Sequence, residues 1–98
     1  MRLVWRTRAQ NDRKRIAQHI MEAGNVQAAL KQDAAFEAKA RTAVSGTIVH
    51  KPGRVRGTHE IVVTPNYVIV YRATKTQISI LRVLHARQLW PRGDSKPE

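Results

Sequence analysis

Hydrophobic residues recur at two different periods along this chain, and the period changes near its middle. Between residues 7 and 45 they recur every three or four positions, which predicts amphipathic helices. Between residues 60 and 85 they form three longer apolar runs, separated by Pro65-Asn66 and by Thr74-Lys75, which are typical of turns. A short apolar run, Leu3-Val4-Trp5, comes before the helical part and predicts a first strand.

The helical part predicts two helices with almost no linker between them. Thr7 precedes Gln10 by three residues, as in a capping box that opens a helix. Gly24 ends that helix in a left-handed conformation, and Asn25 can cap the start of the next one. The apolar positions of the first helix are Ala9, Ile16, Ala17, Ile20 and Met21. An antiparallel helical hairpin is therefore expected.

The second predicted helix carries a broken apolar stripe. Asp33 interrupts this stripe, so the helix is expected to pack along one edge only. After it, residues 45–58 contain three glycines and a proline and predict a loop, with a possible short strand near Ile48-Val49. The positions expected to be buried on the second helix are Val26, Ala29, Leu30, Phe36, Ala40 and Val44.

The last three apolar runs predict strands at 60–64, 67–73 and 77–85. Their long apolar stretches favour central positions in a sheet whose one face is covered by the helices. The expected fold is α+β, with the order β-α-α-β-β-β and a helical hairpin packed on a small antiparallel sheet. We expect one domain over residues 1–91 and a flexible polar tail over 92–98.

Composition and charge narrow the classes of function. The 98 residues include 18 Lys and Arg against 7 Asp and Glu, a formal net charge of +11, which favours a polyanionic or acidic partner. There is no cysteine, which excludes disulfides and thiolate chemistry, and the four histidines lack the paired spacing of a zinc site. No metal or cofactor is expected.

No apolar run reaches the ~18 residues of a membrane span, and the first residues do not form a signal peptide, so a cytoplasmic protein is expected.

Residues 51–91 concentrate the basic side chains. The only carboxylate of this stretch, Glu60, is expected to form a salt bridge. Arg54 and Arg56 occupy alternate positions between Gly53 and Gly57, so both point the same way if the backbone is extended. Such a pair can clamp phosphate or simply form a solvated basic loop. The basic residues of the stretch are Lys51, Arg54, Arg56, Arg72, Lys75, Arg82 and Arg87.

Two kinds of side chain in the strands carry candidate chemistry. His85, at the end of the last strand, is the histidine best placed for acid–base catalysis; alternatively it caps the strand or donates to a backbone carbonyl. By alternation Arg82 faces the opposite side, unless the strand is bulged. Tyr67 and Tyr71 share one face, where they either stack on bases or belong to the core. Trp90 is expected to anchor the end of the domain.

Three segments of the chain resemble a known family. GRVRGTHE at 53–60, NYVIVYR at 66–72 and ILRVLHAR at 80–87 are similar, in order and spacing, to the C-terminal half of RelE/ParE-type toxins of bacterial toxin–antitoxin modules. The resemblance implies the same β-α-α-β-β-β fold. RelE-type members cut mRNA in the ribosomal A site without a metal, and His85 is similar in place to their catalytic histidine. Under this interpretation the catalytic residues are His85, Arg82 and Arg56, and the substrate-binding residues are Lys51, Arg54, Arg72, Arg87 and Tyr71.

The resemblance leaves two targets open. Many nuclease members carry an arginine where this chain has Val68, and the ending Leu84-His85-Ala86-Arg87 is similar to that of ParE-type members, which poison DNA gyrase. We expect a ribosome-dependent mRNA endonuclease, with a gyrase inhibitor as the alternative. A plain nucleic-acid-binding module fits the charge but not the order of the motifs. The expected partner is an acidic antitoxin, with a segment that folds across the sheet and helices on binding.

Overall fold

The computed structural model describes residues 1–46, 50–88 and 90. Its elements are β1 (Arg2–Trp5), α1 (Thr7–Glu22), α2 (Val26–Ser45), β2 (Lys51–Pro52), β3 (His59–Thr64), β4 (Tyr67–Ala73) and β5 (Gln77–His85). This order confirms the predicted one and adds the two-residue strand β2. The strand expected near Ile48-Val49 and the tail expected over 92–98 lie outside the described residues.

The five strands form one sheet in the order β1-β5-β4-β3-β2. Strands β2 to β5 are joined antiparallel, and β3, β4 and β5 occupy the interior positions that their apolar sequences predicted. The predicted antiparallel sheet is mixed at one edge, where β1 pairs parallel with β5. A parallel pair needs a long crossover, and here the helical hairpin is part of that crossover.

The two helix starts differ in how they are capped. The predicted capping box at Thr7 was wrong: the N-cap is Arg6, without a side-chain cap, and the Gln10 side chain instead donates to the Trp5 carbonyl at 2.8 Å. Asn25 caps α2 as predicted, because its side-chain oxygen accepts from the Ala28 N–H at 2.9 Å. Between the helices, Gly24 has a φ of +88°, a left-handed conformation that favours glycine.

Helix α2 buries a narrower stripe than the sequence predicted. Val26 and Leu30, which were expected to be buried, are 55% and 62% exposed. Leu30 lies one position outside the stripe that begins at Ala29, and small alanines let the helix approach its neighbours closely. The fully buried positions of α2 are Ala29, Phe36, Ala40 and Ala43.

Apolar side chains cover both faces of the sheet. The larger cluster lies on the face covered by the helices and includes Phe36, Ile69 and Ile80. On the opposite face Val68, Val70 and Leu84 form a smaller cluster with Trp90, and Val55 packs against it. Trp90 is only 4% exposed, so the prediction that it anchors the end of the domain is confirmed.

Strand β5 contains a β-bulge in its middle. Val70 pairs with Arg82 but the next residue, Tyr71, pairs with Ile80, so Leu81 is the extra residue. A bulge interrupts the alternation of side chains. As a result Ile80 and Val83, three positions apart, both pack in the larger cluster.

In the described part of the chain no helix is long and apolar enough to span a membrane.

Candidate functional site

A cleft of about 310 Å³ lies between α1 and the last residues of β5. Its apolar surface comes from Ile16, Tyr67 and Val83, and its polar groups come from both elements. The α1 residues that line it are spaced by three or four positions, so one face of the helix forms one wall. The polar lining residues are Asp12, Arg15, His19, His85 and Gln88.

Asp12 and Arg82 form a buried ion pair beside this cleft. Arg82 Nε donates to Asp12 Oδ2 at 2.8 Å and Arg82 Nη2 donates to Asp12 Oδ1 at 3.0 Å, and both residues are at most 5% exposed. The predicted catalytic role requires Arg82 to reach a substrate phosphate. In this structure its guanidinium is buried and bound to Asp12, so it is not presented to solvent. Sequence reasoning missed Asp12, which lies 70 positions away along the chain.

Asp12 also satisfies the backbone of β5. Its Oδ2 accepts a hydrogen bond from the Val83 N–H at 2.9 Å. Strand β1 ends opposite Ile80, so beyond that point α1 rather than a strand lies beside β5. One carboxylate thus neutralises a buried arginine and binds an edge N–H that would otherwise need a strand partner.

His85 is the predicted catalytic residue that lines the cleft. Its side chain is exposed, and its ring meets the Tyr67 ring edge-on with centroids 5.7 Å apart. The backbone N–H of Arg87 donates to His85 Nδ1 at 3.2 Å, so this bond runs from the chain just beyond the strand to the ring, as in a strand cap, and not from the ring to a backbone carbonyl. In the neutral ring Nε2 then carries the proton and can donate to a ligand. The catalytic role of His85 stays a prediction.

The two arginines of the loop between β2 and β3 differ in their contacts and exposure. Arg54 Nε lies 3.3 Å from the buried carboxylate of Glu60, and Arg54 Nη1 donates to the Gln88 carbonyl at 2.8 Å. This confirms the salt bridge expected for Glu60. Both the N–H and the hydroxyl of Thr58 donate to the Val55 carbonyl, so the loop turns instead of extending. Arg56 is exposed on this turn, and the two arginines do not form an extended clamp.

The other predicted substrate-binding residues are spread over the fold. Lys51 is exposed on the short edge strand β2, and Arg87 is exposed just after β5. Arg72 is half-buried, and its Nε is buried without a hydrogen-bond partner among the described residues. Tyr71 is 6% exposed and belongs to the core, so it is not placed to stack on a base. The role of Lys51, Arg72 and Arg87 in substrate binding stays a prediction.

Tyr71 is instead the centre of a histidine cluster that sequence reasoning missed. Its ring stacks on His59, with centroids 5.2 Å apart, and its hydroxyl lies 2.9 Å from His50 Nδ1. His50 Nε2 lies 3.3 Å from the hydroxyl of Thr42, which itself donates to the Lys39 carbonyl. Because Thr42 has one proton and gives it to Lys39, it must accept from His50 Nε2–H. In a neutral ring, His50 Nδ1 then accepts the Tyr71 hydroxyl proton.

These hydrogen-bond directions are those of a neutral His50. Burial lowers the pKa of His50 below its ordinary value, and the nearby charges of His59 and Lys39 lower it further. Burial also raises the pKa of Tyr71. The cluster joins the end of α2 to β3 and β4. No sequence signal marked it, because its members come from separate elements with no regular spacing.

A second cavity of about 300 Å³ lies on the other side of α1 and is lined in part by Arg13, Lys14 and Asp33. Arg13 donates to both carboxylate oxygens of Asp33 at 2.8 Å and lies over the Trp5 ring at 4.2 Å. Asp33, which interrupts the apolar stripe of α2, therefore connects the two helices.

Among the described residues, no group of three or more histidine, aspartate and glutamate side chains could hold a metal ion.

Comparisons with known proteins place this architecture in a family. A solved structure described as "Chromosomal ParDE TA system from P. aeruginosa" has the same fold, with a TM-score of 0.77 and 22% sequence identity. The match covers 87% of this chain and 95% of that one. No curated protein sequence matches the chain significantly. The family model described as "ParE toxin of type II toxin-antitoxin system, parDE" matches residues 3–90. The chain therefore belongs to the ParE family of type II toxin–antitoxin toxins.

Proposed function

We propose that this toxin acts by binding a protein target, DNA gyrase, and not by cutting RNA. The observation that carries this proposal is the burial of Arg82 against Asp12. A nuclease that uses no metal relies on accessible cationic groups to stabilise the charge that develops on the phosphate. Arg82, predicted for that task, is used to hold α1 against β5. The ParE family and the ending Leu84-His85-Ala86-Arg87 support the same target.

An antitoxin is the second partner of the proposed function. The family is that of two-component toxin–antitoxin systems, and the net charge of +11 supports an acidic antitoxin. Binding to the folded toxin stabilises it by mass action. Co-expression with the antitoxin should therefore raise the yield of folded toxin and restore growth of the host cells. Strong expression of the toxin alone without growth arrest would contradict the proposal.

The target is tested by two assays run in parallel on the purified toxin. One measures inhibition of gyrase supercoiling, and the other measures cleavage of mRNA on translating ribosomes. We expect the wild-type toxin to inhibit supercoiling and to leave mRNA intact. The Lys31→Ala variant, which changes an exposed residue of α2 outside the cleft, serves as a control and should behave like the wild type.

A second candidate function, ribosome-dependent mRNA cleavage, is favoured by one observation. His85 is exposed at the cleft beside Tyr67, where an imidazole could transfer protons. If the toxin is such a nuclease, His85→Ala should lower cleavage by roughly 10²–10⁴-fold while ribosome binding persists. Cleavage of mRNA without any inhibition of supercoiling would overturn the gyrase proposal in favour of this one.

A further inference from the structure

Arg72 lies on the face of the sheet that points away from the helices, which we call the outer face. Val70 belongs to the apolar cluster on this face, and Arg72 follows it by two positions in β4, so both side chains point the same way. Tyr71, between them, packs in the cluster under the helices. Arg72 is half-buried with a buried Nε, and its guanidinium has no partner among the described residues. It therefore lacks the counter-ion that a half-buried charge usually has.

Strand β1, at one edge of the sheet, contributes a second cation to the outer face. Arg72 pairs with Ser79 of β5, whose hydroxyl accepts from the Gln77 side chain at 2.7 Å, so these polar side chains lie on the same face. Gln77 in turn pairs with Arg2. Arg2 is exposed, and its guanidinium has no partner in the described part of the chain.

Strand β2, at the other edge, contributes a third cation. Val70 pairs with Glu60, and Glu60 pairs with Lys51, which places Lys51 on the outer face. Lys51 is exposed, and its ammonium group has no partner within residues 1–46, 50–88 and 90. Glu60 is the only carboxylate of the described strands, and it is buried. Its carboxylate accepts from the Arg54 N–H at 2.8 Å and lies 3.3 Å from Arg54 Nε, so it is already neutralised.

The three cations form a diagonal row across the outer face. Arg72 is in β4, the middle strand of the sheet, and β1 and β2 are each two strands away from it. Along the strand direction, Arg2 lies two residues to one side of Arg72 and Lys51 lies two residues to the other side. With strands about 4.8 Å apart and about 3.3 Å per residue, each step between Cα atoms is about 12 Å and the row is about 23 Å long.

The spacing of this row favours a ligand with repeated negative charges. A single small anion cannot meet cations that are about 12 Å apart. A nucleic-acid strand, in contrast, carries one phosphate for about every 3.4 Å of helix axis, so each cation of the row can meet a separate phosphate. Guanidinium and ammonium groups both bind phosphate oxygens. The row therefore fits a sugar–phosphate backbone that lies diagonally across the sheet.

The position of the aromatic residues favours duplex over single-stranded nucleic acid. Proteins that bind single strands stack the bases on accessible aromatic rings. Tyr67 and Tyr71 pack on the helix side of the sheet, and Trp90, on the outer face, is 4% exposed. Among the described residues, no aromatic ring of the outer face is accessible to a base. Contact with phosphates alone is typical of duplex binding that does not depend on sequence.

We propose that the outer face binds the sugar–phosphate backbone of duplex DNA, independently of base sequence, through Arg2, Arg72 and Lys51. This inference goes beyond the proposed function and does not rest on it, because neither the toxin's target nor its antitoxin enters the argument. Gyrase itself acts on DNA. If the gyrase target is right, the outer face adds a contact with the DNA on which the target works.

The probe for this proposal is a fluorescein-labelled DNA duplex of about 20 base pairs, whose binding to the full chain is measured by fluorescence anisotropy between about 50 and 200 mM salt. The double variant Arg2→Gln, Lys51→Gln should lower the slope of log affinity against log salt by about 2. It should also weaken binding by about tenfold or more at the lower salt concentration. Adding Arg72→Gln should lower the slope by about one more unit. Two duplexes of unrelated sequence should bind equally well.

The matched control removes the same charge from the helices. Lys14→Gln with Lys31→Gln changes two exposed residues, one in α1 and one in α2, and should lower the slope far less. Arg2 and Lys51 are exposed too, so both double variants should keep the wild-type circular dichroism spectrum. This pair of variants decides the outcome even if Arg72→Gln does not fold. Equal losses in the two double variants would mean that net charge alone attracts DNA and would overturn the proposal.

Further outcomes separate this proposal from other ligands and from the proposed function. Tighter binding of a single strand of the same length than of the duplex would overturn the proposal in favour of a single-strand surface. Inhibition of supercoiling by a toxin that does not bind the duplex at the lower salt concentration would also overturn it, and would leave the gyrase target intact. Duplex binding through the row, without inhibition of supercoiling, would support the proposal and overturn only the target.

Discussion

The carboxylate of Asp12 binds the guanidinium of Arg82 through two hydrogen bonds of 2.8 and 3.0 Å, entirely within the protein. The same carboxylate accepts from the Val83 N–H, so it connects α1 to both the side chain and the backbone of β5. Removing either partner takes the opposite charge away from a buried ionised group. We therefore expect this pair to contribute to the stability of the fold, whichever target the toxin binds.

The first prediction concerns that pair. Asp12→Ala should lower the free energy of unfolding by about 3–5 kcal/mol, because it removes the carboxylate bound to the buried Arg82 guanidinium and the acceptor of the Val83 N–H. Arg15→Ala, which removes only an exposed partner 3.8 Å from Asp12, should cost less than about 1 kcal/mol. Urea denaturation followed by circular dichroism measures both values. A stable, fully folded Arg82→Ala variant that has lost all toxicity would contradict this account and support a direct role for Arg82.

The second prediction separates the two arginines of the β2–β3 loop. Arg54→Ala should cost about 1–3 kcal/mol of stability, because it leaves the buried Glu60 carboxylate short of a partner and releases the Gln88 carbonyl. Arg56→Ala, at an exposed position of the same loop, should change stability by no more than about 0.5 kcal/mol. Thermal unfolding of the two single variants provides the comparison. Equal destabilisation by both substitutions would show that the salt bridge between Arg54 and Glu60 does not add to the stability of the fold.

The third prediction concerns pH. Burial, His59 and Lys39 lower the pKa of His50 in the folded chain, so between this pKa and the ordinary value of 6.5 the unfolded chain binds more protons. The free energy of unfolding should therefore fall as the pH falls below about 6.5. His50→Gln can still accept from Tyr71 and donate to Thr42 but does not titrate, so it should show a weaker dependence on pH.

The matched control for this experiment is His19→Gln, at an exposed position of α1, which should keep the wild-type dependence. Urea denaturation at pH 5 to 8 gives the stability of each variant, and NMR titration of the imidazole signals gives the pKa of His50 directly. A titration of His50 above 6.5 would be incompatible with the hydrogen-bond directions inferred for the cluster.

The fourth prediction concerns Gly53. A Cβ at this position would overlap the hydroxyl of Thr58, which is 3% exposed and bonded to the Val55 carbonyl. Gly53→Ala should therefore destabilise the protein by about 1–3 kcal/mol. In a double-mutant cycle, Thr58→Ala should cost less in the Gly53→Ala background than alone, because it relieves the overlap. Strict additivity would mean that the two residues do not interact.

The sequence was most informative where local rules decide the structure. Periodicity gave the helical hairpin and the three long strands, and the cap at Asn25 was correct because it depends only on a residue three positions away. At the first helix the same rule was wrong, because the N-cap is Arg6 and not Thr7, and the Gln10 side chain donates to the Trp5 carbonyl. The apolar runs also located the interior strands, because buried strands need apolar residues on both faces.

The candidate site was less predictable because its contacts span the chain. Arg82 was expected to be catalytic because the resemblance to RelE-type toxins implied that role. Its partner Asp12 comes from α1, and no sequence pattern brings the two together. The cluster of His50, His59 and Tyr71 depends on the register between β3 and β4, which the spacing of these residues does not reveal. The exposure of His85 and Arg56 was easier to anticipate than the contacts of the buried polar residues.

The parallel pairing of β1 with β5 also affects when this protein can fold. Arg2 lies opposite Gln77, so the first strand has no neighbour in the sheet until nearly the whole domain has been synthesised. Contacts between such distant residues form late, because the chain must first lose the entropy of closing a long loop. A chain cut after Thr76 should therefore show little native structure by circular dichroism, and a well-folded fragment would refute this expectation. We therefore expect an unfinished chain that is still on the ribosome to lack the folded surface through which a toxin acts.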